Sequence, residues 1–371
     1  MAPINIAVGV VTVLSVERFR RSDLAAFWQE YRAVLVAWIS LLFIFGLSAA
    51  VNGVSKSAFW SIKGQLVFVA LVPMALLAQS RDLRRAFVWG LGISLGLMFI
   101  YTLMQVGLAK RMPFALHKPY NYRAAGFDNA LTWAALCFSF SMVIAAEAAR
   151  NAKPRLASAF VACGYIVVLA LGERLYAVLA TIATLVLFSN RHQWRYLVLI
   201  GLLGVGLAAY AGKYFHVGVL ARYSVNSSNL SKAIAVRSDL WARATEMARD
   251  KPILGVGPGH YGRELRKLQG GPRPYAYNHA HSNWLHVLAE LGLAGLGVFA
   301  LFQWRILRWF WIRARSSHSY YLFVAAMYLV GGGITEATWF DSEIIIMSAL
   351  LLAFRVPQKE FVYEASNNCR G

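Results

Sequence analysis

The side chains of this sequence best suited to chemistry are histidines and arginines, and they gather around one long polar stretch, residues 213–283. It carries His260, His279 and His281, with His286 just inside the apolar run that follows. Neutral imidazole accepts a proton near pH 7. His281 is set apart by its neighbours: Ser282 follows it at the mouth of an apolar run, and Gly292 and Gly295 lie further along that run. Two glycines three apart share a helix face, so this spacing predicts close approach of another helix. His279 is the nearest competitor as a base. Three arginines lie at the mouths of apolar runs or in the stretch itself: Arg123, Arg174 in Gly172-Glu-Arg-Leu-Tyr176, and Arg237. A guanidinium stays charged in a poorly solvated place and binds phosphate oxygens in pairs. For Arg174 an ion pair with Glu173 is the structural alternative.

Two further patterns lead elsewhere. A zinc site needs about four ligands, and His279-x-His281 has no thiol or acidic partner at suitable spacing, so neither a metal nor a cofactor is expected. Gly257-Pro-Gly-His-Tyr-Gly262 matches GxGxxG literally. The dinucleotide motif also needs a strand before it and a βαβ unit around it, and neither is credible here. The glycines read as a backbone turn whose N–H groups can face an anion.

Something must hold these groups, and the composition says what. Of 371 residues, 58% are hydrophobic and 15% charged, against roughly 45–50% and 25% in soluble proteins. A soluble enzyme and a disordered chain are both excluded. Apolar runs near 34–52, 64–79, 86–108, 127–146, 156–172, 175–189, 196–212, 284–304, 320–334 and 344–355, with a short one at 3–16, have the length of membrane spans. The fold class expected is therefore all-α, a polytopic membrane helix bundle of about 11 spans. One large periplasmic loop carrying short helices interrupts it.

Every second connection is short and basic. Arg18, Arg20, Arg21 and Arg32 share the first, Arg81, Arg84 and Arg85 the next, then Arg150, Lys153 and Arg155, then Arg191 and Arg195, then Arg305, Arg308, Arg313 and Arg315. These are cytoplasmic by the positive-inside rule. The connections 53–63, 109–126, 172–174, 213–283 and 335–343 then fall outside. The organisation expected is a membrane bundle over 1–212, a catalytic loop over 213–283, and membrane helices with a cytoplasmic tail over 284–371.

The net charge of +20 is thus largely topological and predicts no nucleic acid partner. The loop is an exception, with eleven Lys and Arg against four Asp and Glu on the outer side. An anionic ligand at the membrane face would account for it. Within the loop the spacing predicts a helix over 238–250, stopped at Lys251-Pro252. The three cysteines form no disulfide framework. The N-terminus lacks the pattern of a cleaved signal peptide.

Several of these strings resemble one family. Arg237-Ser-Asp-Leu-Trp241 with Asp250-Lys-Pro-Ile-Leu-Gly-Val-Gly257 resembles the large periplasmic loop of O-antigen ligases. His281-Ser282, nine residues, Gly292, two residues and Gly295 resembles the family's H[NSQ]-x9-G-x-x-G signature, although residue 296 is Leu where Thr or Val is common. Arg174 and Arg123 resemble two further arginines of the family. By motif the likeness covers some sixty residues, and the family's usual twelve spans exceed the number read here.

The resemblance implies a membrane glycosyltransferase of the inner membrane. Its donor would be a glycan on undecaprenyl pyrophosphate and its acceptor a sugar hydroxyl of lipid A–core. His281 would act as general base, with Arg123, Arg174 and Arg237 on the pyrophosphate. Elementary chemistry agrees: pyrophosphate is a stable leaving group that needs charge stabilisation rather than a general acid, and a single displacement inverts the anomeric centre. No carboxylate pair at hydrolase spacing is evident. A polymerase or protein O-glycosylating relative would share this chemistry and differ in the acceptor. A transporter of lipid-linked glycan would place ionisable groups at the membrane midplane. Here they cluster at span ends, with Glu290 the exception.

Overall fold

The computed structural model describes residues 21–78, 81–108, 130–171, 173–189, 227–269, 278–314 and 317–354. Among these residues the fold is all-helical, without a strand. In chain order the helices are α1 (Arg21–Asn52), α2 (Lys56–Leu66), α3 (Leu71–Leu77), α4 (Arg81–Leu108), α5 (Ala130–Arg150), α6 (Pro154–Leu171), α7 (Arg174–Ser189), α8 (Ser227–Asp250), α9 (Tyr261–Gln269), α10 (Asn283–Arg313), α11 (Ser317–Gly332) and α12 (Ser342–Ala353). The runs at 3–16 and 196–212 and the connection 109–126 lie outside the described residues, and so does Arg123.

Six described helices are long and apolar enough to cross a membrane: Leu24–Asn52, Lys56–Ala75, Arg84–Thr102, Ala130–Arg150, Pro154–Leu171 and Asn283–Arg313. Arg174–Phe188 and Ser342–Ala353 are shorter apolar helices. The connection expected at 53–63 is instead mostly helical. Ser55 caps α2 by accepting the Ala58 N–H (3.1 Å), and the chain runs on through a 3-10 turn, Val67–Ala70, into α3. Pro73 falls in the first turn of α3, where its missing N–H costs least. The span therefore begins at Lys56 rather than near residue 64.

One apolar cluster fills the bundle, with α5 at its centre packed on α4, α6 and α11. The Arg, Glu and Trp side chains at one end tie helices together. Arg84, 4% exposed, bonds Glu147 (2.9 Å) and the Phe354 carbonyl (3.0 Å), and Arg313 reaches Glu30 (3.0 Å). A second, smaller cluster joins Leu240, Ala244 and Met247 of α8 to Tyr261 and Leu265 of α9 and to Ala289 of α10. The polar stretch is thus packed onto the start of α10 rather than extended away from it.

Helix α10 is two limbs. Gly292 is non-helical, with φ 65° and ψ −163°. On a straight helix Trp284 and Phe299 would stand about 22 Å apart, yet their ring centroids are 5.3 Å apart. The chain therefore turns back at Gly292, and the first limb (283–291) folds down beside the second (293–313). The second limb has a length of about 31 Å, enough by itself for the hydrocarbon core of about 30 Å. This corrects the expectation for Gly292 and Gly295: the first breaks the helix, and what approaches it is loop backbone.

Candidate functional site

The break in α10 leaves backbone groups without helical partners, and the turn after α8 satisfies them. Leu293 and Ala294 donate to the carbonyls of Pro252 (2.8 Å) and Ile253 (3.2 Å). Val256 and Gly257 donate to those of Ala289 (2.9 Å) and Glu290 (3.0 Å). Gly255 and Gly292 both need positive φ, and a β-carbon at either would run into the other strand of this clasp. Apolar Pro252-Ile-Leu254 and the glycines after it are therefore one device, holding the loop on a membrane helix.

The glycine turn faces an acidic side chain of the protein itself. The carboxylate of Glu290, 2% exposed, accepts the N–H groups of Gly259 (2.8 Å) and Tyr261 (3.0 Å) and stands 3.6 Å from His286 Nε2. His260 is likewise built in: Nε2 lies 2.7 Å from Ser55 Oγ and Nδ1 3.1 Å from the Val256 carbonyl. Among the described residues no group of histidine, cysteine and acidic side chains has the arrangement to hold a metal ion.

The reactive constellation lies at the lower end of the first limb. Ser282 caps α10 by accepting the Leu285 N–H. Asn283 ties this end to the segment after α11: its N–H donates to the Gly333 carbonyl (2.9 Å), and its Oδ1 accepts the Trp339 N–H (2.9 Å). That segment carries Glu336. One carboxylate oxygen of Glu336 lies 2.9 Å from His281 Nδ1, and the other accepts a hydrogen bond from the Arg237 guanidinium of α8. Three distant parts of the chain thus meet at one carboxylate. Glu336 is buried, whereas His281 and Arg237 keep 20% and 37% of their side chains exposed, so a substrate can reach them.

Burial pushes the Glu336 carboxyl up, but the His281 hydrogen bond and the Arg237 charge outweigh it and hold the group below the usual carboxylate range. An ionised carboxylate at Nδ1 fixes the tautomer with the proton on Nδ1 and the lone pair on Nε2. His281 has φ 50°, a left-handed conformation rare outside glycine. Non-glycine residues held there cluster at functional sites. His279 packs edge-on against it, with ring centroids 4.3 Å apart, and its Nδ1 accepts the His281 N–H (3.3 Å). Burial pushes the His279 imidazole down to about 4, and His281 beside it acts in the same direction.

The site is recessed. Trp284 stands level with Phe299, so the His281 end is set roughly 9 Å below Gly292 along the bundle. Gly292 is itself level with the end of α1, where Ser48 bonds the Leu254 (2.7 Å) and Glu290 (3.2 Å) carbonyls. Helices α11 and α12 are short, with 16 and 12 residues; α11 ends and α12 begins on this side of the bundle.

Of the residues singled out from sequence, His281 and Arg237 are brought together. Arg174 heads α7 at the same end of the bundle. Two residues on, the buried Tyr176 ring lies against Gly332, one turn before Glu336. Arg237 differs from expectation in spending part of its guanidinium on Glu336, while its Nε–H has no partner among the described residues. Sequence reasoning missed Glu336. A carboxylate three residues after Gly331-Gly-Gly333, on the same predicted side as His281, was the signal available.

Residues 159–300 match the family model described as O-antigen ligase, a finding that supports assigning the chain to that family. The matched region includes Arg174, Arg237, His281 and the clasp glycines, and stops before Glu336. No curated protein matches the chain.

Proposed function

Taking the O-antigen ligase family as premise, we propose that this chain is a membrane glycosyltransferase. It would move a polysaccharide from undecaprenyl pyrophosphate to a sugar hydroxyl of lipid A–core at the periplasmic face of the inner membrane. The observation that carries this reading is the single carboxylate, Glu336, shared between His281 and Arg237.

The chemistry follows from that sharing. His281 Nε2 takes the proton of the acceptor hydroxyl as its oxygen attacks the anomeric carbon. Glu336 orients the ring and stabilises the imidazolium that forms. The bond from the anomeric carbon to the pyrophosphate oxygen breaks on the opposite side, with inversion. Negative charge grows on that oxygen, and the unused N–H groups of Arg237, with Arg174 and Arg123, are the donors for it. Holding the arginine and the imidazole on one carboxylate keeps leaving group and base in register. The recess suits substrates that are both anchored in lipid, because each reaches the site from within the bilayer. The organisation proposed is a catalytic loop over 213–283 between two membrane portions, 1–212 and 284–371.

The test is transfer from purified lipid-linked glycan to lipid A–core. Removing the base should cost about 10²–10⁴ in rate, so His281→Ala is expected to be nearly inactive with donor binding kept. Arg174→Ala should lose about 10²–10³. Turnover by His281→Ala close to the parent's would sink the assignment. Robust transfer onto a second lipid-linked glycan, with none onto lipid A–core, would make the protein a polymerase instead.

A further inference from the structure

The turn that clasps the break in α10 carries a side chain that the clasp does not use. Ile253 is 70% exposed, and Val54, two residues after the Asn52 that Lys251 reaches, is 80% exposed. Large apolar side chains are not left in water in such concentration without reason. Val51, Phe59 and Trp60 are exposed too, and Lys63 lies over the Trp60 ring at 4.3 Å. The hydrogen bonds join these residues into one surface. Lys251 Nζ reaches Asn52 Oδ1 (2.7 Å), Ser48 holds the Leu254 carbonyl, and Ser55 holds His260.

The surface continues two others. On α1, Val36, Ile39, Phe43, Leu47 and Val51 are exposed at spacings of three and four, a stripe that faces lipid in a span. On the second limb of α10, Leu293, Leu301 and Trp304 form another. Ile253 is bonded through its carbonyl to Ala294, at the top of that limb. It therefore stands where both lipid-facing stripes end.

We propose that residues 251–254 and 51–60 form a foot set in the membrane surface. Val54, Phe59, Trp60 and Ile253 lie among the acyl chains at the headgroup boundary, Lys56 and Lys251 face the phosphates of anionic glycerophospholipids, and Lys63, about 10 Å further along α2, extends its ammonium back past the Trp60 ring toward them. Aromatic side chains prefer this depth, and lysines extend their ammonium groups outward from it. Lipid is the occupant because the foot is continuous with faces that lipid must already cover, and its charge complements phosphate. The loop is then not a freely solvated domain. It is fixed in depth through Ile253, and the clasp passes that depth to the limb carrying His281. This inference rests on the membrane reading and not on the transfer chemistry, so its failure would leave the proposed reaction standing.

The test uses the full chain with Cys137, Cys163 and Cys369 changed to Ser, and a nitroxide on Ile253→Cys, in bilayers of phosphatidylethanolamine and phosphatidylglycerol. Collisions with oxygen should exceed those with a water-soluble nickel chelate at position 253. The same label on Glu246→Cys, an exposed site of α8, should show the reverse. Nickel access at 253 equal to that at 246 would overturn the proposal, and protection from both reagents would mean that protein covers the patch. Changing Lys56, Lys63 and Lys251 to Gln should move the 253 label toward water. An unmoved label would remove the lysines from the contact.

Discussion

Glu336→Gln is the most informative perturbation of the site. It keeps the shape of the side chain and removes only its charge. In the parent, the ionised carboxylate accepts from His281 Nδ1 at 2.9 Å. When the base takes a proton, that contact becomes an ion pair. At an effective dielectric of about 20 the bare attraction at this distance is about 6 kcal/mol, an upper bound, since the amide can still accept a neutral hydrogen bond. The loss in a charge-assisted hydrogen bond is nearer 2–3 kcal/mol, which corresponds to about 30- to 150-fold in kcat. Arg237 is released from its ion pair by the same change, so donor KM should alter far less than kcat. The assay is single-turnover transfer in detergent or proteoliposomes, with band shift of the acceptor as readout. A variant within twofold of the parent would refute the idea that Glu336 serves His281. Arg237→Gln combined with Glu336→Gln should be non-additive, as expected of residues in one network.

Other expectations concern the frame around the site. Gly292→Ala puts a methyl group at φ 65° and ψ −163° against the Ile253 carbonyl. The backbone alone costs on the order of 1–3 kcal/mol there, so a lower melting temperature and lost transfer are expected, whereas Gly297→Ala, in open space, should be neutral. His279 sets a pH dependence of stability. With its imidazole at about 4 in the fold, the unfolded chain binds the proton first as pH falls below the ordinary value near 6.5. Stability should therefore fall between pH 6.5 and 4, by as much as about 3 kcal/mol, and thermal melts of His279→Gln should show a flatter slope over that range. A cysteine at Asn229 should react with an impermeant thiol reagent in intact spheroplasts and one at Asn190 should not; the opposite pattern would invert the proposed topology.

Composition and periodicity alone carried the all-helical, membrane-spanning class, because apolar runs this long and this numerous exceed what a soluble core can bury. The sequence also pointed to His281 and Arg237, which the fold brings onto one carboxylate: His281-Ser282 at a span mouth and Arg237 in a basic loop are local patterns, legible without knowing what they touch. It pointed equally to the stop at Lys251-Pro252, where proline denies the helix its next residue. Tertiary structure decided what local pattern cannot. Glu336 gains its meaning from Arg237, 99 residues before it, and from His281, 55 before it, and such a distance leaves no periodic trace. Gly292 and Gly295, three apart, look like a small-residue face. Only the carbonyls of Pro252 and Ile253 waiting beside them make a broken helix affordable, since a freed N–H in an apolar bundle must find a partner. Glu290, an apparent intruder in a membrane helix, becomes intelligible in the same way: the N–H groups of Gly259 and Tyr261 satisfy its buried carboxyl oxygens.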